Sequence, residues 1–193
     1  LLFSVFLGIV FGYLGFVDPS LDLDLLSAWL LNFLLFVVGI DLGKNREVLK
    51  KFKKAGWNIL LVPFSIALGS ILGAGMIASL LDLQTSEAMA VGAGFGWYSL
   101  SGVLLSQLSG VELGTVAFLS NIFRELLAFL LIPIVANRLG SLAAVAPGGA
   151  TTMDTTLPLI SKAAGKDMVL IALINGLVLT SVVPFIVPFL INM

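Results

Sequence analysis

The feature that most narrows the folds open to this chain is a set of apolar runs about as long as a bilayer is thick, at residues 1–17, 25–40, 56–81, 113–136 and 168–193. An α-helix rises 1.5 Å per residue, so about 20 apolar residues cross the roughly 30 Å hydrocarbon core. A helix also satisfies its own backbone groups, which lipid cannot do. Only 11% of residues are charged, against about 25% in a soluble domain. The reading is an all-α integral membrane protein, multi-pass in the cell membrane, with about five spanning helices.

The residues that are missing exclude whole classes of chemistry. There is no cysteine, hence no disulfide framework and no thiolate metal site, and no histidine, hence no Ser-His hydrolase and no imidazole proton relay. No metal or other cofactor is expected. Proton handling falls to carboxylates, lysines or water. A net charge of −1 gives no reason to expect nucleic acid.

Charge also sets the expected orientation. Six of the ten basic residues (Lys44, Arg46, Lys50, Lys51, Lys53 and Lys54) fall in one loop, which the positive-inside rule makes cytoplasmic. The N-terminus is then cytoplasmic and the C-terminus outside. The opening run lacks a basic flank and a small-residue cleavage site, so it reads as a first span rather than a signal peptide. In the third span Pro63 is expected to make a kink, and Gly69 and Gly73, with Ser70 and Ala74, a smooth packing face.

Two segments break the apolar pattern. One is Gly92-Ala93-Gly94-Phe95-Gly96-Trp97-Tyr98-Ser99-Leu100-Ser101-Gly102; the other is Pro147-Gly148-Gly149-Ala150-Thr151-Thr152-Met153-Asp154-Thr155-Thr156. Each flank is too short to span, so each segment reads as a broken or re-entrant helical hairpin. Residues 1–87 then form a three-helix part, and 88–138 and 142–193 two units of hairpin plus helix in opposite orientations. Broken segments at matching positions of two inverted units point to a transporter's midplane site.

The polar groups in these units are the candidate binding residues. A carboxylate at membrane depth costs about 2.5–3.5 kcal/mol on insertion scales, which a wet cavity around Asp154 would relieve. Thr151, Thr152 and Thr155 surround it with hydroxyls suited to a cation or an ammonium. Asn121 and Glu125 are four apart and share a helix face, whereas Arg124 points some 100° away, toward another helix. Gly148 and Gly149 free backbone N–H groups at a half-helix start, where an anion can sit. Gly96, Ser99 and Ser101 offer the same on the other unit, and Trp97 and Tyr98 fit either an interface belt or a cation–π wall. Two acids with two positive helix ends match a cationic amino acid or a small cation.

Three strings resemble the prokaryotic lysine exporter family of the LysO type: Gly94-Phe95-Gly96-Trp97-Tyr98-Ser99-Leu100-Ser101-Gly102; Arg124-Glu125-Leu126; and Gly149-Ala150-Thr151-Thr152-Met153-Asp154-Thr155-Thr156-Leu157-Pro158. So do Phe36-Val37-Val38-Gly39-Ile40 and Lys166-Asp167-Met168. The resemblance covers nearly the whole chain. It implies export of L-lysine and its analogues and a function for Glu125 and Asp154 as the family's intramembrane acidic pair. Longer members of the family carry extra N-terminal spans, so a homodimer is one way to replace that scaffold. The expected protein is an inverted-repeat secondary transporter, not an enzyme, exporting lysine by proton antiport. The alternative is a monovalent cation/proton antiporter using the same two acids for Na⁺.

Overall fold

The computed structural model describes residues 57–193 and, upstream, isolated positions between residues 7 and 40. The first two spans as continuous elements and the basic loop at 44–54 lie outside the described residues. The rest is helical, with no strand among the described residues. Helix α1 (Leu61–Ile77) follows a 3-10 turn at Trp57–Leu60 and runs into another at Ala78–Leu80. Then come α2 (Thr85–Gly92), α3 (Tyr98–Ser109), α4 (Val111–Leu139), a 3-10 segment at Ala143–Met153, α5 (Leu157–Ala164) and α6 (Met168–Ile191).

Three of these helices are long and apolar enough to cross a membrane: α1 extended to Leu80, α4 and α6. Their outer faces carry exposed Phe64, Leu68, Phe123, Leu130, Phe185 and Phe189. Such faces are at home against lipid tails, which are as apolar as leucine. At 29 residues, α4 is about 43 Å long, so it either tilts or emerges from the hydrocarbon.

The short helices are placed by their neighbours. Thr85 and Met89 of α2 lie against Gly75 near the end of α1, and Gly92 ends α2 against Ser70 and Ala74 in the middle of α1. Tyr98 at the start of α3 stacks edge-on against Phe118 of α4, with centroids 5.8 Å apart. The chain then runs back along α4 to Gly110, where φ of +98° makes the reversal. On the other side, Ala144, Val145 and Ile160 share a core cluster with Ala128 and Ile132 from the C-terminal half of α4 and Ala172 from the start of α6. The second core cluster joins Ala90, Leu100, Leu105, Leu113 and Ala117 to Val183, Val187 and Leu190 from the far half of α6.

Close approach of α3 and α4 depends on small residues. A Cβ on Gly114 would strike Ser106 Oγ and stand 2.7 Å from the Gly102 carbonyl. Gly114→Ala should therefore cost about 1–3 kcal/mol, the usual penalty of overpacking. Denaturation in detergent measures it, and Ser106→Ala in the same chain should restore only part, because the Gly102 carbonyl stays in the way.

One sequence expectation needs correction. Pro63 does not kink a mid-span helix. It sits in the first turn of α1, after the 3-10 turn, where its missing N–H breaks no helical bond. Of the expected packing face of α1, Ser70 and Ala74 meet Gly92, and a Cβ on Gly69 or Gly73 would meet no described residue within 4 Å.

Candidate functional site

The two glycine breaks touch each other. The Ala150 N–H donates to the Phe95 carbonyl at 2.8 Å. Gly149 adopts φ 57°, ψ −126°, a region essentially reserved for glycine. A Cβ there would run into the Phe95 carbonyl. Phe95 is itself left-handed, at φ 49°, and fully buried. A bulky residue in that conformation costs of order 1–3 kcal/mol and persists only where its surroundings impose it. Gly96, at φ 96°, lies alongside the Gly148 carbonyl and Thr151.

An asparagine from the following long helix holds each break. Asn121 of α4 accepts the Gly96 N–H at 2.7 Å, and its Nδ2 donates to the Ala117 carbonyl at 2.9 Å, the Val91 carbonyl at 3.2 Å and Ser101 Oγ at 3.4 Å. Asn175 of α6 donates from Nδ2 to the Gly149 carbonyl at 2.9 Å and to Thr152 Oγ1 at 3.0 Å. Its Oδ1 is buried and has no partner among the described residues. Beside it, Gly176 lets α6 come up against Met153 and the Ala150 carbonyl.

Arg124 ties the crossing to α1. Its Nη1 donates to Ser70 Oγ at 2.7 Å, and its Nε reaches the Pro147 carbonyl at 3.5 Å. Ser70 Oγ passes the link on to the Gly92 carbonyl at 2.8 Å. No acid pairs with Arg124 among the described residues, so it pins helices by hydrogen bonds rather than by an ion pair. Arg124→Lys keeps the charge but not the fork that reaches two acceptors. It should lower stability by about 1–3 kcal/mol, the worth of charge-assisted hydrogen bonds, as read by thermal unfolding in detergent.

Next to the crossing lies an open cavity of about 220 Å³, lined by Gly96, Trp97, Tyr98, Ser99, Glu125, Ala150, Thr151, Met153, Asp154, Thr155 and Thr180. That is small beside the roughly 300–1,000 Å³ of drug-sized pockets and suits a small solute. Glu125 is half-buried in its wall; Asp154 and Thr155 are exposed at its rim. The N-terminus of α3 opens here, with no side chain capping it. A larger groove of about 520 Å³ between α1 and α6 is lined only by apolar side chains such as Phe64, Leu68 and Val182, and carries no chemistry.

Of the candidates named from sequence, Gly96, Trp97, Tyr98, Ser99, Glu125, Thr151, Asp154 and Thr155 share this cavity. Asn121, Arg124, Ser101, Thr152, Gly148 and Gly149 do not line it; they build the crossing behind it. Thr152 faces α6, with Oγ1 2.8 Å from the Gly149 and Ala172 carbonyls. Ser101 Oγ donates to the Trp97 carbonyl at 2.9 Å. No α-helix starts at the second break: Ala143–Met153 is a kinked 3-10 segment, and the Ala150 N–H is already taken. Asp154 does not cap α5, whose N-cap is Thr156; its Oδ1 accepts the Thr155 N–H at 2.6 Å. Asn175, Ser70, Met153 and Thr180 stand at the crossing or the cavity without being among the site residues expected from sequence. For Asn175 a signal existed, since it is a polar residue deep in an apolar run.

Comparison with known proteins agrees with a transport reading. A family model described as lysine exporter LysO matches residues 2–191. A relative from Escherichia coli (strain K12), named lysine exporter LysO, is 39% identical over 165 residues, which are 84% of this chain and 54% of the relative. A second, from Haemophilus influenzae (strain ATCC 51907 / DSM 11121 / KW20 / Rd), named putative lysine exporter, is 34% identical over 196 residues, 98% of this chain and 95% of its own length. The chain thus spans about half the length of the first and nearly all of the second. No solved structure matches it.

Proposed function

The chain belongs to the lysine exporter LysO family, a family of transporters and not of enzymes, and from that premise we propose that it exports L-lysine and its analogues across the cytoplasmic membrane in exchange for protons. The observation that carries this reading is that Glu125 of α4 and Asp154 beyond the second break line one small cavity. Lysine offers that cavity an ammonium on a long apolar stem. The ammonium meets the two carboxylates, and Ser99, Thr151 and Thr155 supply hydroxyl acceptors around it. Trp97 and Tyr98 face the stem and the charge. The α-carboxylate lies at the uncapped start of α3, where the partial positive charge of the helix end favours an anion.

The breaks are the tips of two re-entrant hairpins entering from opposite faces of the membrane. What supports this is the packing: Ala90 of α2 and Leu100 and Leu105 of α3 share a core cluster with Leu113 and Ala117 from the first half of α4, whereas Ala144 and Ile160 share theirs with Ala128 and Ile132 from its far half. Alternating access then consists of one unit moving against the other around the fixed crossing. Protonation of a carboxylate releases the lysine, and its deprotonation resets the site.

The test is efflux from proteoliposomes loaded with labelled L-lysine under an imposed pH gradient. Acid outside should speed efflux several-fold over symmetrical buffer. Lysine flux indifferent to the gradient would remove proton coupling, and Na⁺-driven proton movement insensitive to lysine would replace the substrate.

A further inference from the structure

Lysine carries two ammonium groups, and the site proposed above gives a partner to only one of them. The side-chain ammonium meets Glu125 and Asp154, and the α-carboxylate meets the start of α3. The α-ammonium sits on the same carbon as the carboxylate, so it too must lie beside the start of α3. An ammonium taken out of water without an acceptor is expensive. Among the described residues, α6 contributes Thr180 alone to the cavity wall. Its neighbour Leu179 shares a core cluster with Trp97 and Leu100 at the start of α3, which puts Thr180 at the carboxylate end of the site. The hydroxyl there is placed unlike others in the long helices. Thr115, Ser120 and Ser181 donate to carbonyls three or four residues earlier in their own helix, at 2.8, 3.2 and 2.7 Å. Thr180 Oγ1 turns off its helix and donates to Met153 Sδ at 3.8 Å. Gly176, four residues earlier on the same face of α6, lets Met153 come this close: a Cβ there would stand 2.6 Å from the Met153 N and Cβ. A thioether sulfur can only accept a hydrogen bond, so it draws the one hydroxyl proton and leaves both lone pairs of Thr180 Oγ1 unshared. An oxygen held that way is an acceptor, suited to a cation and not to a carboxylate.

We propose that Thr180 is a specificity-determining residue that receives the α-ammonium of the substrate, with Met153 Sδ holding the hydroxyl proton out of the way. The proposal rests on the lysine reading above and deepens it. The two acids recognise an ammonium on a chain, and the start of α3 recognises a carboxylate. Any ω-amino acid of the right length offers both. Thr180 is the group that separates an α-amino acid from those analogues. A site built around an acceptor rejects a solute that lacks the matching donor, because the acceptor is then left unpaired. A hydrogen bond from a charged donor is also stronger than one between neutral groups. Its loss should therefore show as about tenfold in affinity.

The test compares L-lysine with ε-aminocaproate, which keeps the side-chain ammonium and the carboxylate and lacks only the α-amino group. Each is added unlabelled against counterflow of labelled L-lysine in proteoliposomes, and the ratio of their half-inhibiting concentrations is read for each variant. Wild type should favour lysine by about tenfold or more. Thr180→Val has nearly the same shape and no hydroxyl. It should collapse the ratio, weakening lysine about tenfold and leaving ε-aminocaproate within about threefold of wild type. Thr180→Ser keeps the hydroxyl and should keep the ratio. If the Val variant does not fold, Thr180→Ala, which also removes the hydroxyl, decides by the same ratio. A structural role alone would move both inhibitors together. That result, or a wild-type ratio in Thr180→Val, overturns the assignment of Thr180 and leaves the lysine reading standing. A wild type without lysine counterflow removes the lysine reading, and the assignment with it.

Discussion

Asp154→Asn should abolish lysine counterflow, lowering its initial rate by at least about tenfold, the effect of losing about 1.4 kcal/mol or more of interaction with the ammonium. Asn has the same shape and keeps one oxygen, so the change isolates the charge. The cavity places only Glu125 as a second acid beside Asp154, and one carboxylate cannot both hold the ammonium and exchange a proton in the same step. Stability should stay close to wild type, because Asp154 is exposed at the cavity rim and the Thr155 N–H that its Oδ1 accepts can be accepted by the Asn oxygen as well. Transport and melting measured on one preparation separate lost function from lost fold. Counterflow at the wild-type rate would remove Asp154 from the site.

The second large effect is expected at Gly149. Gly149→Ala must place a methyl into the Phe95 carbonyl at a φ of 57°. The backbone penalty of about 1–3 kcal/mol and an overpacking penalty of about 1–3 kcal/mol fall on the same residue. The sum is a large share of a membrane domain's stability, so poor yield and a markedly lower melting temperature are expected. Gly96→Ala is the informative comparison. Its φ is also positive, at 96°, but the nearest atoms to a Cβ are 3.6 Å away. It should show the backbone penalty without the collision. Equal losses at the two positions would mean that the crossing is looser than its 2.8 Å bond from Ala150 to Phe95 implies.

The same contacts mark where local sequence pattern stops being informative. The long spans are legible because an unbroken apolar run of about 20 residues suits a bilayer and little else. The breaks are legible because Gly94, Gly96, Gly148 and Gly149 gather with hydroxyls in a chain otherwise suited to lipid. That Arg124 points away from Glu125 follows from the 100° step between neighbours on a helix. The crossing does not follow, since Phe95 and Ala150 are 55 positions apart (150 − 95) and no local periodicity links them. For the same reason the threonines read as one group in sequence. Thr151 and Thr155 reach the cavity, while the residue between Thr151 and Met153 turns to α6 because a 3-10 turn sends successive side chains about 120° apart. Pro63 reads as a mid-span kink because the start of α1 has no capping residue to mark it.

A carrier built this way can change its cargo without rebuilding its joint. The link between the two breaks runs from one main-chain N–H to one main-chain carbonyl, so it does not depend on which side chains flank it. The groups that would touch a solute, at positions 97, 98, 99, 151 and 155, stand apart from that link. Selectivity can therefore drift, or be redesigned toward ornithine-like or shorter diamines, by exchanging those few groups while the main-chain crossing is kept intact.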